Sequence, residues 1–223
     1  MTEFQDIKSL GILGGTFDPI HIGHTAIARE VRDAYNLDRV DLVPAYQNPL
    51  REEGSNEASP FDRLIMANLA SLDYTWLYVN PIEIDRGRHI PGPSYTIDTL
   101  GNYREFAPSL DLYLIVGADN TAFHLWQDIS RFPEYLEKLV VANRPDFSDR
   151  FNQNLALVKE KNPGVYSIIE VMDDIDIPKS STNIRIKTHE GIIPVDHLHP
   201  LVEKYIRKYS LYGWKEEKVC SEE

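Results

Sequence analysis

Apolar residues recur along the chain in two alternating rhythms, short continuous runs and longer stretches at helical spacing. That alternation predicts an α/β fold, a parallel sheet covered by helices on both faces. Ser9 to Gly14 reads as the first strand, and Ile22 to Tyr35 as a helix with Ala26, Ile27, Val31 and Ala34 on one face. Arg39 to Val43 is the second strand, ended by Pro44. Ser59, Pro60 and Asp62 give a helix start of N-cap, N1 proline and early acid, leading into Leu64, Ile65, Leu69 and Leu72. Thr75 to Val79 is a third strand. A Gly/Pro-rich loop then runs through Gly92 and Pro93 to a helix from Tyr95 to Phe106. Leu110 to Val116 is apolar enough to lie inside a parallel sheet. Leu139 to Ala142 is a short strand, Asp149 to Lys161 a helix, and Tyr166 to Val171 the last strand. From Thr182 onward only helical patterns remain, and Lys204 to Lys208 reads as the solvated side of a helix whose other side carries Leu201, Tyr205 and Ile206.

Length changes this picture little: residues 1–223 are expected to form a single domain, with about 181–212 a small helical part and 213–223 a frayed tail. Cys220 is the only cysteine, which excludes an internal disulfide and a cysteine metal site. No secretory leader and no run of about eighteen apolar residues is visible, so a cytoplasmic protein with no membrane partner is expected. A formal net charge of −12, spread along the chain, opposes broad binding to nucleic acid. Phosphate chemistry therefore requires a small local pocket of donors. His197 and His199 share a face only in extended chain and have no third ligand nearby, so no protein metal site is expected.

Such a pocket is suggested where the first strand meets the first helix, at Gly14-Gly15-Thr16-Phe17-Asp18-Pro19-Ile20-His21-Ile22-Gly23-His24. Ligands of open α/β sheets bind at this edge. Two glycines let backbone approach a polyphosphate, the helix start favours an anion, and His21 and His24 stand three apart across the first turn. The segment is neither the dinucleotide fingerprint nor a P-loop. Far downstream, Ser180-Ser181-Thr182-Asn183-Ile184-Arg185 sets hydroxyls at a helix start and an arginine one turn later, which suits an anion as well as it suits a plain serine cap.

The first segment resembles the H-x-G-H signature of the nucleotidyltransferase superfamily, and the string GGTFDPIHIGH is similar to the form found in nicotinate mononucleotide adenylyltransferases. The second resembles their I-S-[ST]-x-I-R motif, with Lys179 in place of the usual isoleucine. The loop from Pro44 to Arg51 resembles P-x-x-x-P-P-H-[KR], with Asn48 and Leu50 as departures. Glu83, Arg86 and Ser94-Tyr95-Thr96 resemble an E-x-x-R and S-Y-T pattern, Gly117-Ala118-Asp119 a G-x-D, and Asn143-Arg144-Pro145 an R-P after a later strand.

The resemblance implies a Rossmann-like fold and transfer of AMP from ATP to nicotinate mononucleotide, with Mg²⁺ carried by ATP. It places ATP against Gly14, Gly15, Thr16, Phe17, His21, His24, Gly117, Asp119, Ser181, Thr182 and Arg185, with His21, His24 and Arg185 catalytic. It places the acceptor against Arg51, Ser94, Tyr95, Thr96, Trp126 and Arg144. Trp126 suits a core position as well as a ring-stacking one, Asp119 suits a helix cap and Arg51 a solvated charge. A homo-oligomer stays open. So do a relative acting on nicotinamide mononucleotide, phosphopantetheine or a polyol phosphate, and a non-catalytic nucleotide-binding regulator. A class I aminoacyl-tRNA synthetase fragment is disfavoured by the acidic chain and the absence of a lysine-rich loop.

Overall fold

The computed structural model describes residues 7–49, 57–117, 120–142, 148–173 and 180–215. Its strands are β1 (Ser9–Gly15), β2 (Arg39–Pro44), β3 (Leu77–Val79), β4 (Asp111–Gly117), β5 (Lys138–Ala142) and β6 (Ile169–Met172). They form one parallel sheet in the order β3-β2-β1-β4-β5-β6. Successive strand residues point to opposite faces, and the apolar runs accordingly divide between two cores. Leu10, Ile12, Leu112, Leu114, Leu139 and Val141 enter one, while Leu13, Ile115 and Val140 enter the other. Winding reverses between β1 and β4, which opens a crevice at their carboxyl ends.

Helix α1 (Ile22–Tyr35) has the expected bounds and ends in left-handed Asn36. Its buried side is Thr25, Ile27, Ala28 and Val31, with Ala34 exposed. Helix α2 (Pro60–Ser71) starts as read, with Ser59 accepting from Asp62 N–H, but turns a different face inward. Arg63, Met66, Ala67 and Ala70 are buried, whereas Ile65 and Leu72 stand 42% and 66% exposed. Small Ala67 and Ala70 suit close approach of the helix to its neighbours, and backbone carbonyls draw Arg63 in.

Helix α3 (Ile82–His89) occupies the stretch read as loop. Its polar sequence and internal glycine conceal it, yet a Cβ at Gly87 would come within 2.1 Å of the Tyr46 ring, so the glycine serves a close crossing. Asn80 starts this helix by accepting from Ile82 N–H, and its amide reaches the hydroxyl of Tyr103, which donates to buried Asp41. Helix α4 (Thr96–Phe106) and helix α5 (Ser148–Lys161) lie where expected. Helix α6 (Pro163–Tyr166) takes the first residue assigned to the last strand, because Pro163 at N1 continues a helical turn.

Helix α7 (Ser181–His189) and helix α8 (Pro200–Lys208) follow, with 3₁₀ turns at Val195–His197 and Leu211–Gly213. Val202 and Ile206 are the buried residues of α8, Leu201 and Tyr205 are half-buried, and Lys204 and Lys208 are exposed. Ile184, Val202, Ile206 and Tyr212 join the same core as α1 and α2. Most of the expected frayed tail, 216–223, lies outside the described residues. Among the described residues no helix is long and apolar enough to cross a membrane.

A candidate nucleotide site at the sheet edge

Beyond β1 the chain makes a tight, almost fully buried turn. The space where a Gly14 side chain would stand is open, whereas a Cβ at Gly15 would meet the Phe17 ring at 2.8 Å. Phe17 is 2% exposed and takes φ 53°, and the Asp18–Pro19 peptide is cis. His21 then caps α1: its Nδ1 accepts from Gly23 N–H at 3.1 Å, and His24 Nδ1 accepts in return from His21 N–H at 3.1 Å. This is the reciprocal arrangement usually made by a hydroxyl and a carboxylate. The choice of imidazole matters. With Nδ1 accepting in both rings, the neutral tautomer carries its proton on Nε2, and the two rings, stacked at 3.8 Å, supply Nε2–H donors at the positive end of a helix.

The serine and arginine segment closes on this turn from more than 160 residues away. Ser181 Oγ donates to the Pro19 carbonyl at 2.9 Å, and Arg185 donates to the Asp18 carbonyl at 2.7 Å. Arg185 Nε also pairs with Glu57 at 3.1 Å, and its other amine reaches Thr182 Oγ1 at 3.4 Å. Ser180 sits at the N-cap of α7, but its side chain makes no capping bond.

Three supports were not foreseen. The Asp18 carboxylate, 1% exposed, accepts Glu57 N–H, Ala58 N–H and the Tyr212 hydroxyl. Arg63, fully buried, donates to the carbonyls of Thr16 and Tyr46 and so ties the first turn to the loop after β2. Asn48, a departure from the family loop, donates to Thr16 Oγ1 at 3.2 Å. The spacing of Arg63 to Met66, Ala67 and Ala70, three, four and seven residues on, was the available signal that it lies on a buried face.

On the other side of β1 a cleft of about 840 Å³, open to solvent, runs over the ends of β1 and β4. Ser94, Tyr95, Thr96 and Trp126 all line it, as do Gly14 and Gly15. No side chain caps the start of α4, so the first N–H groups of that helix suit an anion. Ser94 Oγ accepts from Tyr46 N–H at 3.0 Å. Trp126 both lines the cleft and packs edgewise on Phe123 and Phe132, and its indole N–H has no partner among the described residues. Glu83 is in the same wall, and burial pushes its carboxyl above the usual range against the hydroxyls of Thr99 and Ser94 and the charge of Arg86. Gly117 closes β4. Arg51, Asp119, Arg144, Leu50 and Lys179 lie outside the described residues.

Residues 12–187 match the cytidylyltransferase-like family. A protein of Roseiflexus sp. (strain RS-1) named probable nicotinate-nucleotide adenylyltransferase is 40% identical over 205 residues, covering 91% of this chain and 97% of the relative. One of the same name from Corynebacterium kroppenstedtii is 36% identical, covering 95% and 94%. The chain belongs to the nicotinate-nucleotide adenylyltransferase family. The fold of these adenylyltransferases extends to distant sequences. A Plasmodium falciparum nicotinic acid mononucleotide adenylyltransferase, solved in complex with NaAD, superposes with a TM-score of 0.69 at 19% identity, covering 93% of this chain and 98% of that one.

Proposed function

We infer that this adenylyltransferase transfers AMP from MgATP to nicotinate mononucleotide, giving nicotinate adenine dinucleotide and pyrophosphate, a step of NAD biosynthesis in the cytoplasm. The observation that carries the reading is the paired histidine cap beside a cleft walled by Trp126 and the uncapped start of α4. One half supplies donors for a polyphosphate, and the other an aromatic wall and an anion-binding helix start for a flat, carboxylated ring.

A 5′-phosphate oxygen of the acceptor attacks the α-phosphorus of ATP, forming the new P–O bond as the bond to the β-phosphate bridging oxygen breaks. The nucleophile is already an anion, so alignment and charge stabilisation are the tasks, and no covalent enzyme intermediate or general base is needed. His21 and His24 donate from Nε2 to the phosphates, His24 to the α- or β-phosphate in the transition state. Ser181, Thr182 and Arg185 hold the β- and γ-phosphates, and Gly14, Gly15, Thr16 and Phe17 line their path. Ser94, Tyr95, Thr96 and Trp126 receive the nicotinate end.

Mg²⁺ enters as part of the substrate. The described residues contain no cluster of three histidine, cysteine, aspartate or glutamate side chains fit for an ion, and the Asp18 carboxylate is already engaged by three donors. An ion bound through phosphates and water suits such a site.

Pyrophosphate release by the purified protein with MgATP and each of nicotinate mononucleotide, nicotinamide mononucleotide and phosphopantetheine tests the reading. Helix-start N–H groups match a carboxylate and mismatch the amide's own N–H, a difference of about 1–3 kcal/mol, so kcat/KM should favour nicotinate mononucleotide about tenfold or more. Equal use of the amide overturns the acceptor assignment, and no release with any acceptor overturns the transfer reading.

A further inference from the structure

Near the end of the described chain, the backbone is held in a conformation that needs a reason. Ser210, Tyr212 and Gly213 all have positive φ, at 50°, 57° and 70°. Glycine adopts this region readily, but serine and tyrosine do so only at a cost, and such residues persist where their surroundings over-determine them. Gly213 is constrained twice, since a Cβ there would also come within 2.4 Å of His189 Nδ1 in α7. The consequence of this winding is the placement of one side chain. Tyr212, 4% exposed, is turned into the core beneath the phosphate-side turn, and its hydroxyl donates to Asp18 at 3.0 Å across 194 residues of sequence.

We propose that Tyr212 is a positioning residue for the ATP phosphates, acting through Asp18 to set the turn that carries His21 and His24. The proposal rests on the functional reading above and deepens it. Asp18 stands between two polyphosphate elements: its own carbonyl receives Arg185, and the carbonyl of the next residue, Pro19, receives Ser181. Its carboxylate fixes Glu57 and Ala58 through their N–H groups, and Glu57 pairs with Arg185. Tyr212 supplies the only side-chain hydroxyl donor to that carboxylate among the described hydrogen bonds. Arg185 and Arg63 are the cations that face the pair. Losing the hydroxyl leaves a buried carboxylate short of a donor and releases the turn to seek another. None of the described hydrogen bonds of Asp18 or Tyr212 reaches α4 or Trp126, so the nicotinate end should sense the change less.

The test uses the full chain and the variants Tyr212→Phe, Asp18→Asn and their combination. For each, KM for MgATP, KM for nicotinate mononucleotide, kcat and Tm are measured at a temperature where circular dichroism shows the fold intact. Tyr212→Phe should raise KM for MgATP about tenfold, as expected for a lost bond to a charged group, and lower kcat, with KM for nicotinate mononucleotide changed less than about twofold. Asp18→Asn should show the same selectivity, and in its background Tyr212→Phe should add less than about twofold. A lowered Tm with both KM values unchanged, or raised equally, overturns the proposal and leaves the contact purely structural. Should Tyr212→Phe not fold, Asp18→Asn decides by the same criterion. A wild-type chain without transfer activity is a failure of the functional reading, seen before any variant is compared.

Discussion

The two halves of the proposed site, the histidine turn and the cleft beside it, are built in opposite ways. The phosphate half is a turn whose backbone is pinned from outside, by Arg63, Ser181, Arg185 and Tyr212, over sequence separations of 47 to 194 residues. The proposed nicotinate half is walled instead by the ends of β1 and β4, the start of α4 and a Trp126 ring packed on its own neighbours Phe123 and Phe132. In the proposed reading the first recognises charge and depends on polar side chains that must all be satisfied, so one lost partner should spread. The second would recognise shape and a single anion, so losses there should stay local. Rigidity where charge develops, and tolerance where a ring is seated, is what a phosphoryl-transfer site requires.

Replacing the buried tether should break this contrast most severely. Arg63→Met leaves the carbonyls of Thr16 and Tyr46 without their donor and Asp18 with one fewer facing cation, and should cost about 3–5 kcal/mol in denaturant unfolding. An effect under about 1 kcal/mol would show that the turn is held otherwise. His24→Ala should lower kcat by roughly a hundredfold while the protein stays folded, because a preorganised transition-state donor is lost. Near-normal turnover would remove His24 from the chemistry. Arg185→Ala should raise KM for MgATP about tenfold and leave the acceptor's nearly unchanged, with Arg185→Lys restoring only part, since an ammonium lacks the planar fork. A loss confined to the acceptor would reverse the assigned polarity of the cleft.

Effects in the nicotinate half should be smaller. Trp126→Ala should raise KM for nicotinate mononucleotide several-fold, the scale of one aromatic contact, with KM for MgATP unchanged. Glu83 sharpens the comparison through pH. Its folded carboxyl titrates above its unfolded value, so the native state holds the proton more tightly and the group's contribution to stability falls as pH rises through the folded value. Glu83→Gln, which cannot ionise, should therefore compare more favourably with the wild type in Tm at about pH 8 than at about pH 4. A difference independent of pH would show that the carboxyl titrates normally in the fold.

The two halves also differ in how much of them the sequence discloses. The strands and the GGTFDPIHIGH turn were legible because their signals are local, apolar runs that end in glycine and histidines spaced across one helical turn. The inner face of α2 was not, since Leu64, Ile65, Leu69 and Leu72 make a better apolar stripe than Arg63, Met66, Ala67 and Ala70, and only carbonyls elsewhere in the fold decide for the latter. Helix α3 was hidden for a similar reason, because Gly87 argues against a helix until Tyr46 is placed across it. Asp18 was quoted within the motif, yet nothing nearby in sequence discloses that its carboxylate is a buried hub. Resemblance joined Ser181 and Arg185 to the histidines, and the structure supplies the bonds through which they meet.

The order of synthesis gives the remote tether a further consequence. The six strands among the described residues are made by Met172, whereas Ser181, Arg185 and Tyr212 come off the ribosome afterwards. Since chains fold from the amino end as they emerge, the sheet and the nicotinate wall can assemble on a nascent chain whose phosphate turn is still unfastened. A nascent chain that has not yet reached Tyr212 lacks the hydroxyl that fastens Asp18, so the turn carrying His21 and His24 is the part of the proposed site that is completed last.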